Sequence, residues 1–217
     1  MKKIAIIGAG GFGREVLMLI EQINQVNKQF EFIGFFDDNL KKGAIINNYP
    51  VLGKIEDINS INYDLGVVFA IGSPLIKKQI YLQINNQHIF YPILIHPNVQ
   101  IGNFVSIGEG SIITAGVIIT SNISIGKHVI LNLQSTVGHD AKIGDFCSFM
   151  PSVNISGEVI IKDLVYIGTG AIIINQKNIG TSAIIGAGAV IIKDVPDGAT
   201  VVGNPGKVIK IKPVDNE

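Results

Sequence analysis

From Ile95 onward the chain repeats every six residues. The positions Ile95, Ile101, Ile107, Ile113 and so on through Leu131, Val137, Phe149 and Ile191 are all large and apolar, with no slip of register. Four places after each stands a small or mostly β-branched residue, such as Val99, Ser111, Val129, Ala141, Cys147 or Ala189, and Lys177 is the clear exception. Glycine often follows the large residue directly, as at Gly102, Gly108, Gly126, Gly138 and Gly168. A helix repeats near 3.6 residues and a hairpin strand alternates in twos, so neither produces a strict six. A coil of three flat faces, each one hexad long, does. Its large residue points into a triangular prism and its small residue points inward near a corner. The glycine is expected to serve the bend, having no Cβ and tolerating unusual φ. Equivalent strands of successive coils then pair in parallel ladders, giving roughly five to six coils at about three hexads per coil. The polar segment Asn175–Asn178, with Lys177 in a core slot, is expected to loop out of the prism without disturbing the count.

The first 92 residues follow another rhythm. Lys3–Ile7 reads as a buried strand ending in Gly8-Ala9-Gly10-Gly11-Phe12-Gly13. Arg14–Val26 then gathers Val16, Leu17, Leu19, Ile20 and Ile23 on one helical face. Further strands are expected at Glu31–Phe36, Leu65–Ile71 and Ile89–Ile95, and a second helix from Leu75 to Ile84, starting near Pro74. Residues 48–61 read as a polar, turn-rich connection. The pattern predicts an α/β half-Rossmann (βαβαβ) domain over 1–92, followed by an all-β solenoid with a C-terminal tail over 93–217. The second part resembles the left-handed parallel β-helix of hexapeptide-repeat proteins, an exception to the usual right-handed crossover.

Composition narrows the function classes. Seventeen basic and seventeen acidic side chains cancel over 217 residues, so charge makes no case for nucleic acid or an anionic membrane. No apolar run approaches the roughly 20 residues needed to span a bilayer. The start is too soon broken by glycine for a signal peptide, and a cytoplasmic protein is expected. The single cysteine, Cys147, excludes an intrachain disulfide and sits at an inward position, where packing is its role.

Two constellations carry chemistry. Gly8, Gly10 and Gly13 form G-x-G-x-x-G between a strand and a helix, where uncovered backbone N–H groups can approach a phosphate. Asp37 and Asp38, at the end of the second strand, stand where an acidic residue can grip a ribose or base. One half-sheet suits a nucleoside mono- or diphosphate better than NAD, and a nicotinamide reductase is set aside on that ground. In the solenoid, Val137-Gly138-His139-Asp140 puts a histidine on the outside of a corner beside a carboxylate. An imidazole titrates near neutrality and a carboxylate can fix its tautomer. His88, His96 and His128 read as surface residues. His128 and His139 occupy different hexad positions with no clear third ligand, so no metal site is expected.

With these features the chain resembles the sugar acyltransferases of the hexapeptide-repeat superfamily, in particular the N-acetyltransferases of the bacillosamine, perosamine and viosamine pathways. Sialic acid O-acetyltransferases are near relatives. The carriers are the glycine loop, Phe36-Asp37-Asp38, the stretch from Ile130 through Gly138-His139-Asp140 to Phe146, Ile185-Gly186-Ala187-Gly188-Ala189 and Val202-Gly203-Asn204-Pro205-Gly206-Lys207. The resemblance implies a homotrimer with active sites between subunits and no metal. It implies acetyl-CoA held near Ser148, Gly157, Thr169, Ala187 and Lys207, and catalysis by His139 with Asp140. The acceptor would be a nucleotide-linked amino sugar, expected as a dTDP- or UDP-4-amino-4,6-dideoxyhexose for surface glycan synthesis. It would bind through Gly8, Gly10, Gly11, Phe12, Gly13, Asp37, Asp38 and Asn132. Some relatives carry a histidine at the position of Phe12, and some a second one at Ser148, whose hydroxyl can still donate a hydrogen bond. A hydroxyl acceptor, as in the O-acetyltransferases, and a non-catalytic structural solenoid are the alternatives.

Overall fold

The computed structural model describes residues 1–214. The N-terminal sheet is built from β1 (Lys2–Ile7), β2 (Phe30–Phe36), β3 (Ile45–Ile46), β4 (Tyr49–Gly53), β5 (Leu65–Phe69) and β6 (Ile89–Phe90), in the order β3-β4-β2-β1-β5-β6. It is parallel except at the β3–β4 hairpin. That hairpin and a 3₁₀ turn at Ile55–Ser60 fill the stretch expected to be plain connection. Helix α1 (Gly11–Val26) buries Val16, Leu17, Leu19, Ile20 and Ile23 against one face, with Ile4, Ile6, Phe35 and Val68. Helix α2 (Pro74–Gln83) lies with Ile80 on the other, among Ala5, Ile7, Phe36 and Val67. The expected last strand, 89–95, is two: β6 closes the sheet, and Leu94–Ile95 opens the solenoid.

The solenoid is the three-faced parallel β-helix the hexads predict. Eighteen residues advance the chain by one coil. Ile112 pairs with Leu94 and Ile130, Ile118 with Gln100 and Thr136, and Ser124 with Ser106 and Lys142. The first face runs from Leu94–Ile95 to Ala199–Val202 and ends in an antiparallel strand, Lys207–Ile211. The second runs from Gln100–Ile101 to Val190–Ile191, and the third from Ser106–Ile107 to Asn178–Ile179. One continuous core of the large and small inward residues fills the prism, Cys147 among them.

The corners correct one expectation. The third residue after each large apolar one makes the bend, in the left-handed region: Phe104, Asn122, His128, Gln134, Asp140 and Phe146 all have φ between 53° and 60°. The glycines directly after the large residues do not have positive φ. They are there because the next coil passes too close for a side chain. A methyl at Gly108 would lie 2.5 Å from the Gly126 backbone, and one at Gly138 2.6 Å from Gly157 N. The Asn175–Asn178 segment also departs from expectation. It does not loop out: Gln176 makes the usual corner at φ 60°, Ile160 N donates to Lys177 O, and Asn178 pairs with Ile160. Only the Lys177 side chain leaves the pattern, turning its ammonium to the Gln176 carbonyl at 3.2 Å. The ladder needs the backbone alone, so a lysine is tolerated.

The N-terminal sheet and the prism form one packed body. Leu94, Ile112 and Ile130 point outward from the first face, yet all three are buried beneath α1. At the corner between the third and first faces, Lys77 of α2 reaches in with no exposed surface. Its Nζ donates to His128 O at 2.8 Å and to Cys147 O at 3.1 Å. Burial brings its pKa down to about 7, and the two carbonyls take its N–H groups in place of water. His128 is no surface residue. It is 1% exposed, both ring nitrogens lack a partner, and Phe69, Tyr81, Tyr91 and Phe146 surround it with ring centroids 4.8–5.1 Å away.

Burial, with the nearby Lys77 and Lys127 charges, lowers the His128 pKa to about 3. Unfolded, the ring takes up a proton near pH 6.5; folded, it does not. Stability from this residue is therefore complete above pH 6.5 and falls as pH drops toward 3, by up to about 1.4 kcal/mol per pH unit. Phe146 occupies the same corner position one coil on, so His128→Phe is a compatible substitution. Urea unfolding of the wild type between pH 7 and 4 should show a steeper loss of stability than that variant.

Candidate active site

His139 sits on the edge between the second and third faces, two residues after the strand Thr136–Val137. The coils on either side hold that corner by backbone bonds, Asp140 N to Ser121 O at 3.0 Å and Glu158 N to His139 O at 2.8 Å. Successive side chains on a straight strand diverge. Here Asp140 is the bend residue, at φ 60°, and the turn folds its carboxylate back onto the ring. His139 Nδ1 lies 2.7 Å from Asp140 Oδ2, with the two side chains 60% and 48% exposed. The imidazole hydrogen bond, ahead of all other influences, holds the Asp140 carboxyl below its usual range. An ionised carboxylate accepts, so Nδ1 carries the proton and Nε2 presents its lone pair to the outside.

The ring leans on the next coil. A methyl at Gly157 would sit 2.5 Å from His139 Nε2, so this glycine is the floor of the imidazole. The structure thus brings together three residues singled out from sequence: His139, Asp140 and Gly157. Thr169 and Ala187 are exposed and lie one coil apart, but on the edge between the first and second faces, where Thr169 O accepts from Gly188 N at 2.8 Å. Asn132 begins a corner on that same edge. It is 5% exposed, and its Oδ1 accepts from Leu133 N at 2.8 Å and the Thr114 hydroxyl at 3.4 Å. Lys207 is exposed at the start of the last strand, paired with Val202. Ser148 is fully covered and its hydroxyl has no partner, so a direct contact with coenzyme A does not fit its place in the chain.

The glycine loop stands apart from the imidazole. Gly8 takes φ 95°, and Gly13 is needed because a methyl there would collide with the Gly8 carbonyl as α1 packs on β1. Gly10 caps α1 without a side-chain bond and no acidic residue occupies the first turn. Gly10 and Gly11 face open space, which leaves an uncovered helix N-terminus. Phe12 is half-buried against the α1 core. Asp37 ties the loop down, accepting from Ala9 N through Oδ2 and from Asn39 N through Oδ1, each at 2.9 Å. Asp38 accepts from Ile55 N at 2.9 Å. Both carboxylates therefore shape the loops around this terminus.

The prism has three edges, and the N-terminal domain packs through α1 on the first three rungs of the first face, which lies opposite the His139 edge. Within one chain the glycine loop and the imidazole cannot meet. Hollows of about 760 Å³, lined by Lys2, Lys28, Tyr91 and Glu109 among others, and about 330 Å³, lined by Lys162, Asp194 and Asp197, do not include His139. No group of three or more His, Cys, Asp or Glu that could hold a metal ion occurs among the described residues. No helix among them is long and apolar enough to cross a membrane.

A family model described as the PglD N-terminal domain matches residues 3–84. Over 98% of this chain and 99% of its partner, the sequence is 35% identical to a GDP-perosamine N-acetyltransferase of Escherichia coli O157:H7. The chain belongs to the hexapeptide-repeat sugar acetyltransferase family. Two solved structures of similar chains agree along nearly the whole length. WeeI from Acinetobacter baumannii AYE superposes with a TM-score of 0.88 at 36% identity, covering 96% of this chain and 100% of that one. The acetyltransferase domain of PglB from Neisseria gonorrhoeae FA1090, in complex with acetyl coenzyme A, gives 0.83 at 33% identity, covering 96% and 99%.

Because the His139 ring rests on a bare backbone, Gly157→Ala should displace it while leaving the coil intact. Acetyl transfer is expected to fall roughly 10- to 100-fold, as reacting groups misplaced by about an ångström do, with an unchanged circular dichroism spectrum.

Proposed function

We propose that this protein transfers the acetyl group of acetyl-CoA to the amine of a nucleotide-linked amino sugar, with His139 as general base. The observation that carries the reading is the imidazole itself: Nδ1 bonded to a carboxylate, Nε2 free, on an exposed edge of a family member's prism. The neutral amine attacks the thioester carbonyl, forming the C–N bond. His139 Nε2 takes the proton released, the C–S bond breaks, and that proton goes on to the departing thiolate. Asp140 stabilises the imidazolium in between. Backbone N–H groups of a corner are the donors for the oxyanion. Holding both reactants in one cleft supplies a large effective concentration, so no covalent acyl-enzyme is required.

The site needs more than one chain. His139, Asp140 and Gly157 occupy one edge; Asn132, Thr169 and Ala187 occupy another; the glycine loop stands over the face beside the latter. A neighbouring copy that sets its second group and its N-terminal domain against the first edge would complete the cleft, which supports a homotrimer with three shared sites. Coenzyme A would lie along Gly157, Thr169, Ala187 and Lys207, and the nucleotide diphosphate at the open N-terminus of α1. The acceptor is read as a 4-amino-4,6-dideoxyhexose. Its nucleotide was expected to be dTDP or UDP, and the full-length relative named for GDP-perosamine adds GDP to the set. The reaction is placed in the cytoplasm, in the supply of surface glycans.

General-base help is worth about 10²–10⁴-fold, so His139→Ala should lose that much turnover while binding coenzyme A normally by calorimetry. A variant acetylating at the wild-type rate would refute the assignment. Sharing of sites is tested with Gly11→Glu, whose side chain enters open space and turns a carboxylate on the phosphate position. Each variant alone should be strongly impaired, and chains co-expressed in equal amounts should recover roughly a quarter of the wild-type sites, those pairing an intact imidazole with an intact loop. Thermal shifts with GDP-, dTDP- and UDP-linked amino sugars identify the nucleotide, since the one bound raises stability by mass action.

A further inference from the structure

Residue number measures height on this rod. Eighteen residues climb one rung, about 4.8 Å, so six climb about 1.6 Å. Copies related by a three-fold axis parallel to the prism stand level with one another. His139 follows Asn132 by seven positions and precedes Met150 by eleven. Set against the next copy's edge, its imidazole therefore stands about 1.9 Å above the level of Asn132 and about 2.9 Å below that of Met150. Those two residues hold equivalent places one coil apart, directly after Leu131 and Phe149, which pair across one rung.

Above Met150 this edge is almost bare. Its corners run Asn132-Leu133-Gln134, Met150-Pro151-Ser152, Gly168-Thr169-Gly170 and Gly186-Ala187-Gly188. Methyls at Gly170 and Gly188 would meet nothing within 4 Å. The His139 edge changes in the same way, its imidazole giving place to Gly157 one coil higher. Coenzyme A, laid along Gly157, Thr169 and Ala187, thus has a track between two bare edges. An imidazole closes the lower end of that track on one side and the Met150 thioether on the other. Met150 is half-buried, and a methyl at Gly72 would lie 3.9 Å from its Cε, so the turn between β5 and α2 backs the side chain.

We propose that Met150 limits the length of the acyl group, as a specificity-determining residue of the shared site. The carbonyl under attack stands at the level of the imidazole, with its sulfur up the track. The methyl on its far side then ends against the Met150 side chain, an apolar surface suited to it. Each further methylene needs the space that Cγ, Sδ and Cε fill, and the Gly72 turn leaves them little room to retreat. Asn132, a coil lower and polar, belongs with the sugar on the other side of the imidazole's level.

The inference rests on the shared-site reading above, and its test is chosen to fail separately from it. Calorimetry with acetyl-CoA and butyryl-CoA needs no acceptor sugar. The wild type should bind butyryl-CoA at least roughly tenfold more weakly than acetyl-CoA, since one methylene in a fitted apolar pocket is worth about 10- to 200-fold. Met150→Ala should erase most of that gap, whereas Met150→Leu, which keeps the volume, should preserve it. Turnover is followed with the amino-sugar nucleotide that raises thermal stability. There the ratio of kcat/KM for butyryl-CoA to that for acetyl-CoA should rise roughly tenfold in Met150→Ala, with KM for the sugar unchanged. General damage to the protein lowers both donors alike and does not produce such a rise. A wild type that binds the two donors equally would overturn the proposal, as would an alanine variant with the wild-type ratio or a change confined to KM for the sugar. A wild type that binds no acyl-CoA, or a fully active His139→Ala protein, would instead sink the function it rests on.

Discussion

The constraint behind the whole molecule is the close passage of one coil over the next. Parallel ladders fix the rise per coil, and they do so at every corner as well as on every face. The corner backbone bends at the third residue, and where the following coil lies in the place of the first residue's Cβ, as at Gly108 and Gly138, that residue is left bare. A corner residue that carries a side chain therefore projects it outward over its neighbour one coil on. His139 over Gly157, with Asp140 folded beside it, is that rule used for chemistry.

The same stacking explains which parts of the fold were legible. A period of six can be read directly because every inward side chain meets the same environment, so the prism, its core and its register were visible in the spacing of Ile, Leu and Val. The reason for the glycines was not, since a bend and a close approach select the same residue for different causes. Lys177 misled for a related reason: it breaks the side-chain pattern, whereas the ladder is made by backbone groups that any residue supplies. The β3–β4 hairpin was missed because its strands are short and carry Pro50 and Gly53, residues that read as turn.

The site was legible where its residues are adjacent in sequence and obscure where they come together only in space. His139 and Asp140 declare themselves as a pair. Lys77 and His128 do not, because a lysine on an amphipathic helix and a histidine at a corner both resemble solvated residues until α2 is docked. Only then do four aromatic rings from positions 69, 81, 91 and 146 close around the imidazole. The hydroxyl of Ser148 is the converse, a polar group that looks reactive in the sequence and is enclosed in the fold. Asp37 and Asp38 combine both cases, correctly placed beside the glycine loop yet engaged in shaping it.

The seating of the N-terminal sheet on Leu94, Ile112 and Ile130 ties it to the first three rungs of its face, while the imidazole belongs to the third rung of the next. Those rungs are counted from the same origin, so the rod serves as a ruler. Duplicating eighteen residues beyond Asn178 would lengthen the rod at its far end and leave that measurement untouched. The same duplication between Ile113 and Thr136 would raise the His139 imidazole by one storey relative to the N-terminal sheet, and the ladders on either side could survive while the two elements fell out of level.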